Sequence, residues 1–419
     1  MIDLLTVAQV HETFGIPPKE LRLALKKGLI RGDTLAGEKM FRRVEIEYLL
    51  QSPKSLKKPA HKVHKDPATE FTSIDLFAGA GGTALGLSNA GFKHVLLNEM
   101  DPSACATMRL NSPDWNIVEG DVATIDFTPF RDKVDLVEGG FPCQAFSFAG
   151  KKRGFDDARG TLFYEFARSV KEVMPKIALG ENVRGLLTHD GGRTLKSMVQ
   201  ILQSIRSEDG VGYKVAYKVL SSQFFDVPQK RERLIIVAVR DDVLKGGILF
   251  PKELPYVRTV REAIGDRPQA EGQKYPPKKA EVMDRVPTGG DWRDLPVELQ
   301  KSYLGGSFHL GGGKTGMARR LAWDEPSLTL TCAPAQKQTE RCHPDETRPL
   351  NVREYARIQT FPDQWRFSGS LTQQYKQIGN AVPVNLAYYL GQAVKEMLGG
   401  YKDLGDFDLI EPLAMIEDF

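Results

Sequence analysis

Cysteine is scarce in this sequence. Only Cys105, Cys143, Cys332 and Cys342 occur in 419 residues, and no two of them form a C-x-x-C pair. That argues against a structural zinc site. So few thiols in so long a chain also argue against a secreted, disulfide-stapled framework. Long apolar runs are missing, so no segment reads as a membrane span. The opening Met1-Ile2-Asp3-Leu4-Leu5 lacks the basic-then-apolar layout of a secretory leader, and the cytoplasm, with its nucleoid, is the expected compartment. Charge imbalance is small, with 57 basic against 54 acidic residues and a net +3. This balance is compatible with nucleic acid without arguing for it, so any DNA-binding charge must be local. There is no internal repeat.

What is present begins with a small helical module, residues 1–52. Thr6-Val7-Ala8-Gln9 reads as a capping box opening a helix that carries Val7, Val10 and Phe14 at helical spacing. Gly15-Ile16-Pro17 breaks it, and Pro18 suits the first turn of a second helix running to Lys27. A hairpin through Ile30–Gly32 and Lys39–Arg43 and a last helix, Val44 to Leu50, complete a layout that resembles winged helix-turn-helix domains. The functional expectation is a helix in the major groove of operator DNA; the bland alternative is a helical cap with no DNA contact. Residues 53–70, with Lys54, Lys57, Lys58, Lys62 and Lys65 among prolines, read as a basic linker.

From Phe71 short apolar strands alternate with helices. Strands are expected at 73–77, 95–97, 117–118, 134–137, 177–179 and 234–239, with a helix over 83–90. Alternation of this kind predicts an α/β fold, a mostly parallel sheet covered by helices on both faces. From about 250 to 320 Pro and Gly accumulate and periodicity fades, which predicts a small irregular domain or loops. Helices return at 352–360 and 385–398.

Chemistry-bearing residues cluster just past the strands. Phe77-Ala78-Gly79-Ala80-Gly81-Gly82 lies between a strand and a helix, where glycine lets a ligand approach the backbone. Glu99 follows the next strand, where an acid accepts from ribose hydroxyls, and Asp121 follows the third, placed for an adenine amino group. The loop Gly139–Ser147 holds Cys143 among Gly and Pro rather than in a core element. A lone cysteine is otherwise a small buried hydrophobe. Glu181-Asn182-Val183 ends another strand. Arg231 and Arg233 enter the strand 234–239 and point the same way.

The order Phe77-x-Gly79-x-Gly81, Pro142-Cys143-Gln144, Glu181-Asn182-Val183, Gln229-x-Arg231-x-Arg233, Arg348–Glu354 and Gly379-Asn380-Ala381-Val382-Pro383 resembles that of bacterial DNA cytosine-C5 methyltransferases over about 71–400. The resemblance implies a Rossmann-like S-adenosylmethionine methyltransferase fold. It divides the chain into a catalytic domain at 71–247, a target-recognition domain at 248–347, a returning catalytic part at 348–400 and a tail at 401–419. By the same resemblance Cys143 attacks C6 of a flipped cytosine, Glu181 holds N3 with a proton kept by burial, and Arg233, supported by Arg231, holds the base near O2. Phe77, Gly79, Gly81, Glu99, Met100, Asp121, Val122, Pro142, Leu162, Asn380 and Val382 are the implied S-adenosylmethionine pocket. Gln144, Ser147, Lys151, Lys152 and Arg153 of the closing loop, with Gln336 and Arg341, are the implied DNA contacts. No metal is expected. Double-stranded DNA is the implied partner of a monomer or dimer, with a restriction endonuclease encoded nearby. Small departures are Met100 in place of an aromatic, Val384 after Pro383, and Asn351 in place of a hydroxyl residue. A transfer-RNA methyltransferase and a DNA-binding regulator with an inactive core are the alternatives.

Overall fold

In a computed structural model the described residues are 4–27, 29–35, 37–51, 63–142, 161–309 and 316–416. The chain begins with β1 (Leu4–Thr6), α1 (Val7–Phe14), α2 (Pro18–Lys27), β2 (Asp33–Leu35), β3 (Glu38–Arg42) and α3 (Arg43–Gln51). Thr6 accepts from the amide of Gln9, and the Gln9 side chain accepts from the Thr6 amide, closing the expected capping box. Gly15 ends α1 in the left-handed region. β1, unforeseen in the sequence, pairs with β3, which pairs with β2. Three residues are too short to show an alternating pattern.

The core follows as β4 (Thr72–Leu76), α4 (Gly82–Asn89), β5 (Lys93–Glu99), α5 (Pro102–Asn111), β6 (Ile117–Glu119), β7 (Leu136–Gly139), α6 (Leu162–Val173), β8 (Ile177–Val183), α7 (Arg193–Ser204), β9 (Tyr213–Ser221), β10 (Gln229–Lys230), β11 (Glu232–Arg240) and β12 (Ile248–Pro251). Then come α8 (Val260–Ile264), α9 (Pro277–Asp284), α10 (Val297–Leu304), β13 (Ser327–Leu328), α11 (Val352–Ile358), α12 (Leu371–Asn380), α13 (Val384–Leu398) and β14 (Phe407–Ile410).

Seven strands form the main sheet in the order β6-β5-β4-β7-β8-β11-β9. β6, β5, β4, β7 and β8 run parallel, and β11 is antiparallel to both β8 and β9. One face packs on α6 and α7 through Phe163, Phe166, Val170, Met198 and Leu202. The other packs on α4 and α13 through Leu87, Leu386, Leu390 and Val394. α4 and α13 approach closely because Gly86 carries no side chain; a Cβ there would lie 2.4 Å from that of Ala387.

Two boundaries differ from those read in the sequence. β12 belongs to the core, since Ile248, Leu249 and Phe250 pack with Leu390 and Met397, and α8 packs with Tyr355 and Ile358. A separate apolar cluster runs from Tyr275 to Cys342. Residues 401–416 are not a tail: β14 pairs with β12, and the Leu413 amide donates to Val215 O at 2.8 Å. The Pro/Gly-rich stretch, besides its loops, contains α8, α9 and α10, too short for a periodic signal.

Candidate active site

The carboxyl ends of the parallel strands open on one cavity of about 690 Å³, where open α/β sheets bind ligands. Phe77, directly after β4, has φ 59, a conformation costly for a side chain of that size and often kept at binding sites. Gly79, with φ +55, leaves open space where a Cβ would stand. Its amide donates to Glu99 Oε2 at 2.8 Å, while Glu99 Oε1 accepts from the amides of Met100 and Asp101 at 2.8 Å. The carboxylate is thus fixed by backbone at the end of β5. Asn98 donates to Val118 O and Gly120 O at 3.1 and 3.0 Å, shaping the turn that presents Asp121. Asp121 accepts from the amide of Ala123, and Arg168 donates to Val122 O at 3.0 Å.

Phe77, Gly79, Glu99, Met100, Asp121, Val122, Pro142, Leu162, Asn380 and Val382 all line this cavity. Gly81 does not. It caps α4 from the far side, where a Cβ would meet Met108, Trp115 and Trp365 at 3.2 Å, so its expected cofactor contact is corrected to a packing role.

The second wall is built by β8 and β11. Because β11 runs antiparallel, its first residues lie beside the last residues of β8, with Arg233 opposite Val183 and Ile235 opposite Glu181. Arg233 Nε meets Glu181 Oε1 at 2.5 Å, both side chains nearly buried. Asn182 points to the opposite face of the strand and donates to Phe141 O at 2.8 Å. That bond fixes the backbone one residue before Pro142. A Cβ on Gly140 would lie 3.4 Å from Glu181 Oε2, so this loop passes directly over the carboxylate. Cys143, Gln144, Ser147, Lys151, Lys152 and Arg153 lie outside the described residues.

Arg231 lines the cavity but its hydrogen bonds go elsewhere. Nη1 donates to Leu330 O and Nη2 to Gly379 O, each at 3.1 Å. Burial, then the neighbouring Arg233, push it down to about 9. Its expected place beside the base is corrected to a staple that draws the chain at 330 and 379 onto the sheet. Gln359 Nε2 adds bonds to Ile378 O and Ala381 O at 2.7 and 3.0 Å, which brings Asn380 and Val382 to the cofactor side from far along the chain.

Arg341 is also corrected. It is buried, with Nε donating to Thr329 O at 3.1 Å and Nη1 to Glu340 O at 2.6 Å, so its fork is engaged by carbonyls and not presented to a base edge. Gln336 is exposed. Residues missed in the sequence include Cys332, whose Sγ lies 2.9 Å from Asn380 Oδ1, and Glu138, which is buried within β7 at the cavity wall. Cys332 sits in a stretch without periodicity, and Glu138 reads in sequence as one more charge beside Gly139-Gly140.

A three-layer α/β sheet with a glycine loop, a fixed acid at the end of its second strand and a nearly buried Glu–Arg pair at one cavity is a ligand-binding arrangement of the doubly wound class. Comparison with known proteins sets the family. Residues 71–396 match the model of C-5 cytosine-specific DNA methylases. The chain is 60% identical over 337 residues to the Type II methyltransferase M.Eco47II of Escherichia coli, covering 78% of this chain and 79% of that one. It is 57% identical over 343 residues to M.PspPI of Psychrobacter sp., covering 80% and 81%. A solved structure of the Entamoeba histolytica methyltransferase EhMeth superposes with TM-score 0.55 at 14% identity, over 79% of this chain and 99% of that one, and bears on the fold alone. The chain belongs to the C-5 cytosine-specific DNA methylase family, and it is an enzyme of that family.

Proposed function

We propose that the chain methylates C5 of a cytosine flipped out of a short duplex DNA sequence, through a covalent bond between Cys143 and C6. The observation that carries this reading is the convergence on one cavity of the Glu181–Arg233 pair, the loop ending at Pro142, and the wall formed by Gly79, Glu99 and Asp121. The donor set fits S-adenosylmethionine. The turn at Gly79 leaves room for a ligand against the backbone, Glu99 offers a carboxylate for ribose hydroxyls, and Asp121 offers an acceptor for an amino group. S-adenosylmethionine, when bound, supplies an electrophilic methyl group. Phe77, Met100, Val122, Leu162, Asn380 and Val382 complete its apolar and polar lining.

Cys143 adds to C6, which gives C5 the electron density an aromatic pyrimidine otherwise lacks, and loss of the C5 proton later expels the thiolate. Glu181 holds the N3 edge and Arg233 the O2 edge. Asn182 acts through Phe141 by fixing the loop that carries the nucleophile. Duplex DNA lies between the core and the cluster spanning Tyr275–Cys342, with Gln336 among its contacts. Gln144, Ser147, Lys151, Lys152 and Arg153 are assigned to the same DNA. The names of close relatives, Type II methyltransferases, support a role as the modification partner of a restriction endonuclease encoded nearby. The N-terminal module is assigned to operator DNA.

DNA copied with 5-fluorocytosine tests the chemistry, because fluorine at C5 cannot leave as a proton. A denaturation-resistant adduct that maps to Cys143, and is absent in Cys143→Ala, is expected. Trapping at another residue, or none in the presence of cofactor, would contradict the mechanism. Offering duplex DNA and transfer RNA side by side fixes the substrate class.

A further inference from the structure

Glu138 stands in a place where a carboxyl is costly. It is on β7, 1% exposed, and lines the cavity. Its Oε1 has no hydrogen-bond partner among the described residues. An ionised carboxylate without a partner there would cost several kcal/mol. Burial first, then the nearby Asp75 and Glu181, hold its proton far above the ordinary carboxylate range.

Its neighbours follow from the register. Glu138 pairs with Asp75 of β4 on one side and with Leu179 of β8 on the other. Glu181 lies two residues beyond Leu179, on the same face of the sheet. Behind Asp75 stands His94 of β5, with Nδ1 3.4 Å from Asp75 Oδ2; burial pushes this imidazole down to about 4. Arg233 and Arg231 of β11 flank Glu181. α4, which covers this face, carries no ionisable side chain, and those on α13 are Tyr388, Tyr389, Lys395 and Glu396, with Tyr388 and Lys395 bonded to Asp66 and Tyr389 to Asp226. Among the described residues, the cations that line the cavity with Glu138 and Glu181 are Arg231 and Arg233 of β11 and Lys376 of α12.

The proposed reaction needs a proton at cytosine N3 as sulfur adds to C6. Glu181 Oε1 is engaged by Arg233 Nε, and Glu138 is the buried carboxyl beside it on the same face of the sheet. We propose that Glu138 is a positioning residue that stores this proton behind Glu181 and relays it to N3 through the Glu181 carboxylate. In the forward step the S–C6 bond forms, the C5=C6 π pair moves toward C4, N3–H forms, and the O–H bond of Glu138 breaks. When the thiolate is expelled, N3 releases the proton and Glu138 recovers it through Glu181. No oxidant or further reactant is required. This inference rests on the cytosine chemistry proposed above.

The test measures kcat against pH on plasmid DNA for wild type, Glu138→Gln and Glu138→Asp, with S-adenosylmethionine affinity by calorimetry and Tm on the same samples. Wild type is expected to be flat across neutral pH. In E138Q, kcat falls at least tenfold at pH 8 and rises as pH is lowered, because the proton must then come from solvent, while cofactor Kd and KM for DNA stay within twofold. E138D keeps the flat profile. A superimposable profile for E138Q overturns the inference, as does an E138D profile that slopes like the Gln variant. Should E138Q fail to fold, the E138D profile decides alone. A wild type that transfers no methyl group to cytosine sinks the underlying reading instead.

Discussion

Arg231 and Arg233 are two residues apart on one strand edge and have different tasks. Arg233 reaches Glu181, whereas Arg231 is satisfied by the carbonyls of Leu330 and Gly379. Alternation predicted a shared direction, but not that carbonyls from residues 330 and 379 would meet one of the pair first. Arg341 repeats the lesson, because nothing local marks an arginine whose partners are main-chain oxygens brought in by folding. Glu99 and Asp121 were legible because strand ends in an α/β sheet define a binding edge. Asp75 carries a consequence for stability. Burial pushes its carboxyl up to about 8, against an unfolded value of 3.8. A raised acid favours the folded state below the unfolded pKa, and that advantage is lost as pH rises toward the folded pKa. Asp75→Asn is therefore expected to gain Tm over wild type progressively from pH 4 to pH 8, approaching a difference on the order of 2–5 kcal/mol at the alkaline end. Thermal melts across that range check it, and a difference that does not change with pH would contradict it.

At the level of elements, the glycine turn, β4–β8 and β11 were visible from apolar runs bounded by turn residues. The reversal of β11 was not, although it is what sets Arg233 beside Glu181. Strand direction leaves no mark in local periodicity. β9 and β14 were missed for a related reason: β9 alternates with lysine, and β14 is four residues long. The N-terminal module is joined to the core by a contact distant in sequence. Arg31 pairs with Glu45 inside the module and with Glu253 of the core, and lies 4.4 Å over the Phe224 ring. His64 adds a 2.8 Å bond to Asp226, whose carboxyl is raised by burial but held well below the usual range by His64 and Arg258. Arg31→Glu sets like charges against Glu45 and Glu253. It is expected to cost about 2–3 kcal/mol and to change the limited-proteolysis pattern, with methyl transfer by the core retained. An unchanged digestion pattern and Tm would show that Arg31 does not hold the module.

Across the whole molecule, the site is assembled from both ends of the matched region. Asn380 and Val382 join Gly79 and Glu99 only because Arg231, Gln359 and the α4–α13 contact fold the last motif back on the sheet. The motif order made this closure predictable from sequence; the bonds that hold it were not. The Tyr275–Cys342 cluster stands apart from the core with its own apolar centre, which is what the proposed division between reaction and choice of sequence requires. In the proposed reaction this cavity, through Cys143, places a methyl group on cytosine C5 within one DNA sequence. Bisulfite sequencing of DNA from a host without 5-methylcytosine of its own, expressing either wild type or Cys143→Ala, tests it most directly. Protected cytosines in a single short context with wild type, and none with the variant, are predicted. Equal protection with both, or none with wild type in any context, would contradict the account.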